Sequence, residues 1–204
     1  HGRGVGSFGY ASMFSFHATK VFHSIEGGAV CIGEKNPELL HKLYALKNFG
    51  IMGQESVELV GCNGKMNEFS ASMGLCNLRH IGEYIKEREK RYRHYESLLK
   101  DVPGLIFPKE QEGVEKNYAY LPVRILGEGR RNQIFSLLEK EGIHPRKYFY
   151  PLISEYDCYK GKFSGDGTPI AKRIAEEILT LPIYPDLDFS EVERISAILQ
   201  KECS

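Results

Sequence analysis

Apolar and polar positions divide the chain into short segments of differing period. Ala11-Ser12-Met13-Phe14-Ser15-Phe16 is a short apolar run, and Gly28-Ala29-Val30-Cys31-Ile32 is a second. Runs of this length between turn residues predict buried strands. A polar turn, His17 to Gly27, separates them. Two such strands point to the sheet of an α/β domain. The period then changes. Pro37 suits a first helical position, and Leu39, Leu43 and Leu46 share one face of a helix running to Lys47. Gly50, Gly53, Gly61 and Gly64 mark a long loop. From Glu68 to Lys100 the pattern is helical. Phe69, Met73 and Cys76 share a face, and Leu78, Ile81, Ile85, Tyr92, Tyr95 and Leu99 continue at near-heptad spacing. Gly74 and Gly82 are the expected breaks, and Asp101-Val102-Pro103-Gly104 is the stop.

Beyond that stop, Ala119, Leu121, Val123 and Ile125 alternate with Tyr118, Tyr120 and Arg124, which predicts a half-buried strand. Arg130 to Glu141 reads as a helix closed by Gly142. Ile143 to Tyr148 reads as another strand, and Gly161 to Gly167 as a mobile loop. Thr168-Pro169 opens a helix with Ile170, Ile174 and Ile178 on one stripe. Ser190 with Glu193 forms a capping box for the last helix, which turns Val192, Ile195 and Leu199 inward. Strand–helix alternation here predicts a small α+β unit. The expected domains are 1–101 and 102–204, with the long helix as connector.

Composition narrows the function. The 204 residues suit one ordinary domain or two small ones, and 42% apolar residues support a real core. Lys+Arg and Asp+Glu are 27 each, so the net charge is zero. That argues against a nucleic-acid partner, which needs patches of excess positive charge. The basic run Lys86 to Arg93 is interleaved with Glu87 and Glu89 and reads as a solvated helix face. No apolar run reaches the roughly 18–20 residues of a membrane span. Five cysteines without a C-x-x-C pair predict free thiols in a reducing cytoplasm. The opening His1-Gly2-Arg3-Gly4 lacks an initiator Met, so the chain is expected to be a piece of a longer protein.

Gly4-Val5-Gly6-Ser7-Phe8-Gly9 matches G-x-G-x-x-G, but dinucleotide binding needs a strand before it and a helix after it. It reads instead as a glycine-rich turn entering a strand. Ser15-Phe16-His17-Ala18-Thr19-Lys20 is more informative. Hydroxyls at a strand end can donate to a phosphate. A Lys leaving a buried strand is desolvated, which favours the neutral, nucleophilic amine and suits it to an aldehyde cofactor. The bland alternative is a solvated surface turn. Gly61-Cys62-Asn63-Gly64-Lys65-Met66 is equally open, as a plain turn or as an anion site beside a helix start. Tyr148-Phe149-Tyr150-Pro151, beside Arg146 and Lys147, is either partial core or a pocket wall that stacks on a ring. The histidines show no metal spacing.

Taken in order, these runs resemble one family. They are Gly6-Ser7-Phe8-Gly9, Phe14 to Lys20, Glu26-Gly27-Gly28-Ala29, Lys47-Asn48-Phe49-Gly50, Gly61 to Phe69, Met73-Gly74-Leu75, Arg146 to Leu152, and Leu179 to Pro185. The set resembles the pyridoxal-phosphate sugar aminotransferases of the DegT/DnrJ/EryC1/StrS family along essentially the whole chain. The resemblance implies a type I, aspartate-aminotransferase-like α/β fold. The chain would hold the end of the large-domain sheet and a small α+β C-terminal domain. Lys20 would be the Schiff-base lysine, Ser15 a phosphate contact, and His17 part of the same wall. Asn63 would reach the cofactor phosphate of a partner subunit, implying a homodimer with shared sites. Tyr148 and Tyr150 would contact the sugar or nucleotide.

The implied activity moves an amine, usually from glutamate, to a nucleotide-linked keto-deoxysugar for amino-sugar biosynthesis. The Lys147 to Ser154 run looks most like members acting on a dTDP-3-keto-6-deoxysugar. Alternatives are a sugar dehydratase of the same fold, in which His replaces the Lys, or a non-catalytic binding module. Retention of Lys20 favours transamination. Some positions depart from the family pattern. Tyr10 stands where Asp is common, His23 where Asn or Ser is, and Ile153-Ser154 where Leu-His is. The family's N-terminal half, with the Asp that pairs with the pyridine nitrogen, has no counterpart here, so the chain alone is expected to be inactive.

Overall fold

The structure, a computed structural model, describes residues 2–32, 36–163 and 167–203. The expected loop at Gly161 to Gly167 lies partly outside the described residues. The chain divides into two compact units between Gly82 and Glu83.

In the N-terminal unit a 3-10 turn, Val5–Ser7, leads into β1 (Ala11–Ser15), which pairs antiparallel with β2 (Gly28–Ile32). The glycine-rich opening is thus a turn before a strand. β1 is not the buried strand that its apolar run predicts. Its residues alternate between exposed and half-buried, and Met13 is 86% exposed. A two-stranded hairpin has one neighbour per strand and leaves its faces open. α1 (Pro37–Lys47) starts where Asn36 Oδ1 accepts the Leu39 N–H at 3.0 Å, with Pro37 in the first turn. It buries Ala45, while Leu46, expected inward, is exposed. α2 (Glu68–Leu78) is capped by Asn67, whose Oδ1 accepts the Ser70 N–H at 2.9 Å. The helical stretch breaks at Arg79 and His80, not at either glycine. The two N–H groups turn back to the carbonyls of Cys76 and Asn77. Gly74 is buried within α2, where a Cβ would stand 3.3 Å from Ser24 Cβ. Its small size serves packing, and Gly82 lies inside α3 (Ile81–Leu99). Much apolar surface in this unit is open, with Val60 98% and Phe69 87% exposed.

The C-terminal unit is built on an antiparallel sheet in the order β3 (Leu105–Ile106), β4 (Leu121–Ile125), β5 (Ile178–Leu181). Helices α3, α4 (Arg130–Lys140), α5 (Pro169–Glu177) and α6 (Phe189–Cys203) complete it. Tyr95 and Leu99 of α3, Leu121 and Val123 of β4, and Val192, Ile195 and Leu199 of α6 share one core. The three α6 residues face inward as expected. Because α3 supplies part of this core, the division falls at the start of the long helix rather than after Asp101.

Three local expectations change. Residues 143–148 contribute one bridge rather than a strand, Arg146 with Thr180, closed by N–H···O bonds of 3.0 and 2.7 Å. Pro145, next to it, has no N–H for a ladder. α5 stops at Glu177, and Ile178, expected on the helix stripe, is extended and starts β5. α6 starts at Phe189 with Ser190 already inside it, and Asp188 Oδ1 accepts the Ser190 N–H at 3.4 Å. Within β4, Pro122 stands opposite Thr180. Thr180 sends both of its backbone bonds to Arg146, so the nitrogen of Pro122 faces away from β5.

Candidate active site

The turn between β1 and β2 gathers the predicted chemistry. Ser15 is the last residue of β1 and pairs with Gly28. The Phe16 N–H donates to Gly27 O and the Ser24 N–H to Phe16 O, both at 2.9 Å, which closes the loop. Inside it the Lys20 N–H donates to His17 O at 2.9 Å. Lys20 is half-buried, and Ser15 and His17 are exposed. The His17 ring is held from both sides. Its Nδ1 lies 2.9 Å from Thr19 Oγ1, and its Nε2 3.5 Å from Glu26 Oε1. Ser15 Oγ accepts the His17 N–H at 3.4 Å. Ser15, His17 and Lys20 therefore belong to one short, internally bonded loop.

α2 supports this loop. Asn77 Nδ2 donates to His23 O at 2.9 Å, and Ser24 is buried with its hydroxyl donating to Glu26 O at 2.9 Å. Gly28 must be small, since a Cβ there would lie 2.7 Å from Phe14 O. In the sequence Glu26 stands out only as part of a glycine-rich run, and Asn77 carries no signal of its own. A carboxylate nine residues from a histidine carries no periodic signal, so only the folded turn reveals their pairing.

Asn63 sits on a second loop, exposed, in a bridge with Asn48. Glycines lock that loop. Gly50 has φ +79, and a Cβ on it would lie 1.6 Å from Leu59 O. The Cys62 and Gly64 N–H groups donate to Leu46 O and Lys47 O, each at 2.8 Å. The loop meets the Lys20 turn through Met66, whose Cε would be 2.7 Å from a Cβ on Gly27.

Tyr148 and Tyr150 belong to the C-terminal unit. The Tyr148 ring is stacked on Phe149 at 3.9 Å and lies edge-on to Tyr120 at 5.3 Å. Burial, then the hydrogen bond with Tyr148, raises the Tyr120 pKa. Tyr150 is exposed, with the Arg131 guanidinium 4.5 Å from its ring centre. A separate cavity of about 610 Å³ in the N-terminal unit is lined by apolar groups such as Met13, Val30, Leu40 and Tyr44. Lys20, Ser15 and His17 do not line it.

A family model for the DegT/DnrJ/EryC1/StrS aminotransferases matches residues 1–200. The chain belongs to that family. A dTDP-4-amino-4,6-dideoxy-D-glucose transaminase of Escherichia coli is 39% identical over 181 residues, covering 86% of this chain and 48% of the relative. An enzyme of the same name from Shigella dysenteriae is 32% identical over 197 residues, covering 95% and 53%. The crystal structure of DesI in the presence of its TDP-sugar product superposes with a TM-score of 0.88 at 32% identity, covering 98% of this chain and 51% of DesI. The chain thus has the expected type I fold of the family and spans about half the length of the curated relatives it matches. The donor set on the turn fits a phosphate ester bearing an aldehyde. It offers a primary amine, a hydroxyl and an imidazole within Ser15 to Lys20.

Proposed function

We propose that the intact protein is a pyridoxal-phosphate-dependent aminotransferase acting on a dTDP-linked keto-deoxysugar, with glutamate as amino donor. The observation that carries this reading is the placement of Lys20 in one bonded turn with Ser15 and His17. Pyridoxal phosphate, when bound, supplies the electron sink. Lys20 would hold the aldehyde of that group through its amine, and the same amine would move a proton at the α-carbon of the donor. Ser15 would donate its hydroxyl hydrogen to the phosphate. His17 lines the same wall, its ring oriented by Thr19 and Glu26. Tyr148 and Tyr150 contact the sugar or nucleotide. Both transaminases named above are named for a 4-amino sugar, so we take carbon 4 rather than the expected carbon 3 as the position aminated. Asn63 serves the site of a second copy, and the open apolar surface around Val60 and Phe69 supports a homodimer. The four exposed thiols fit a reducing cytoplasm. No helix among the described residues is long and apolar enough to cross a membrane.

The test is borohydride trapping. The intact protein is incubated with pyridoxal phosphate and reduced, and the tagged peptide is mapped by mass. The expected tag is on Lys20 and disappears in Lys20→Ala. A tag spread over surface lysines, or no tag, overturns the reading. With dTDP-4-keto-6-deoxy-D-glucose and glutamate the product should gain nitrogen. Loss of a hydroxyl without nitrogen would identify a dehydratase instead.

A further inference from the structure

Arg131 is 2% exposed, carries a charge, and has an Nε without a hydrogen-bond partner among the described residues. It is the second residue of α4, where a cation opposes the helix dipole. Helix formation therefore does not account for it, and a buried charge needs a compensating contact. Among the described residues it meets a carbonyl and a ring, and the Glu176 carboxylate also acts on its charge. The guanidinium donates to Ile178 O, at the first residue of β5, at 3.2 Å. Its Cζ also lies 4.5 Å from the Tyr150 ring centre. One turn further along α4, Phe135 receives Lys147, whose Nζ is 4.3 Å from that ring centre. Arg131 and Phe135 are four residues apart and share a helix face. The helix thus offers a cation and then a ring, and the segment 147–150 answers with a ring and a cation. This reciprocal pairing fixes the register of that segment on α4.

We propose that Arg131 is a positioning residue, which holds the ring of Tyr150 against α4 and β5 so that its open side meets the sugar nucleotide. The inference rests on the substrate contact assigned to Tyr150 above. Arg131 itself is buried behind the ring. Its planar guanidinium reaches the carbonyl and the ring together, where an ammonium is a compact point charge with no flat face to lay on the ring.

The experiment measures both half-reactions of the intact enzyme, with dTDP-4-keto-6-deoxy-D-glucose as acceptor and glutamate as donor. Arg131→Met should raise the acceptor KM about 2- to 30-fold, the range of a cation–π contact. The glutamate half-reaction should stay within about twofold, and Arg131→Lys should fall between native and Arg131→Met. Arg131→Met combined with Tyr150→Ala should be no worse than Tyr150→Ala alone. Equal loss in both half-reactions, or full additivity with Tyr150→Ala, overturns the proposal. If Arg131→Met does not fold, an Arg131→Lys variant with native acceptor KM overturns it. A Tyr150→Ala variant with native acceptor KM removes the substrate contact and the Arg131 role with it. An impaired Tyr150→Ala beside a native-like Arg131→Met removes the Arg131 role alone.

Discussion

Replacing Gly50 by Ala tests whether the Asn63 loop is held by backbone geometry. Gly50 is left-handed at φ +79, and an added Cβ would sit 1.6 Å from Leu59 O. A Cβ has no rotamer with which to escape, so the backbone must move. The left-handed conformation costs a residue with a Cβ about 1–2 kcal/mol. The movement also breaks two bonds, Gly50 N–H to Ala45 O at 2.7 Å and Glu58 N–H to Gly50 O at 2.8 Å. Each is worth about 0.5–1.5 kcal/mol. The total is about 2–5 kcal/mol, or roughly 30-fold to several-thousand-fold in an opening equilibrium. Native-state hydrogen exchange reads this directly at the Cys62 and Gly64 amides, which bond across the loop. Gly53→Ala is the control, since its Cβ would meet Ser56 Cβ at an ordinary 3.7 Å. Equal protection in Gly50→Ala and Gly53→Ala would refute the reasoning.

Two further outcomes follow from burial and charge. Cys31, Cys62, Cys76 and Cys158 are exposed and Cys203 is buried, with its thiol pKa pushed up by burial. A thiol reagent should therefore modify Cys203 last, and early labelling there would contradict the packing of α6. The Glu110 carboxyl is held below its ordinary value by its hydrogen bond from Arg93, then by that from Lys116. Its folded pKa lies below the unfolded one, so its contribution is present above the unfolded value and lost as pH falls through the folded one. In a carbon-13 titration Arg93→Met should bring Glu110 back toward its ordinary value, and an unchanged titration would exclude the pairing.

The sequence pattern reads best where a segment completes its own core. Val192, Ile195 and Leu199 face inward as their spacing predicts, and β4 alternates as Leu121, Val123 and Ile125 predict. The pattern misleads where burial is missing. The apolar run of β1 predicts a covered strand, yet Met13 is open, and among the described residues its hairpin has no third strand. Breakpoints depend on tertiary contact, so Gly74 stays helical against Ser24 while Arg79 and His80 turn. For the candidate site, Ser15, His17 and Lys20 lie within six residues and were legible together. Glu26 and Arg131 were not, because their partners are set by a turn and by a helix face. Arg131 did leave a trace, a cation in the first turn of a helix.

Pro122 has a consequence for how the C-terminal sheet ends. Its nitrogen points to the side of β4 where β3 extends only as far as Ile106, opposite Arg124. Among the described residues no strand pairs with β4 beyond that point. A proline there removes no ladder bond from β5 and offers an incoming strand no donor. The residue therefore acts as a stop against edge-to-edge growth, placed where the sheet would otherwise accept a foreign strand.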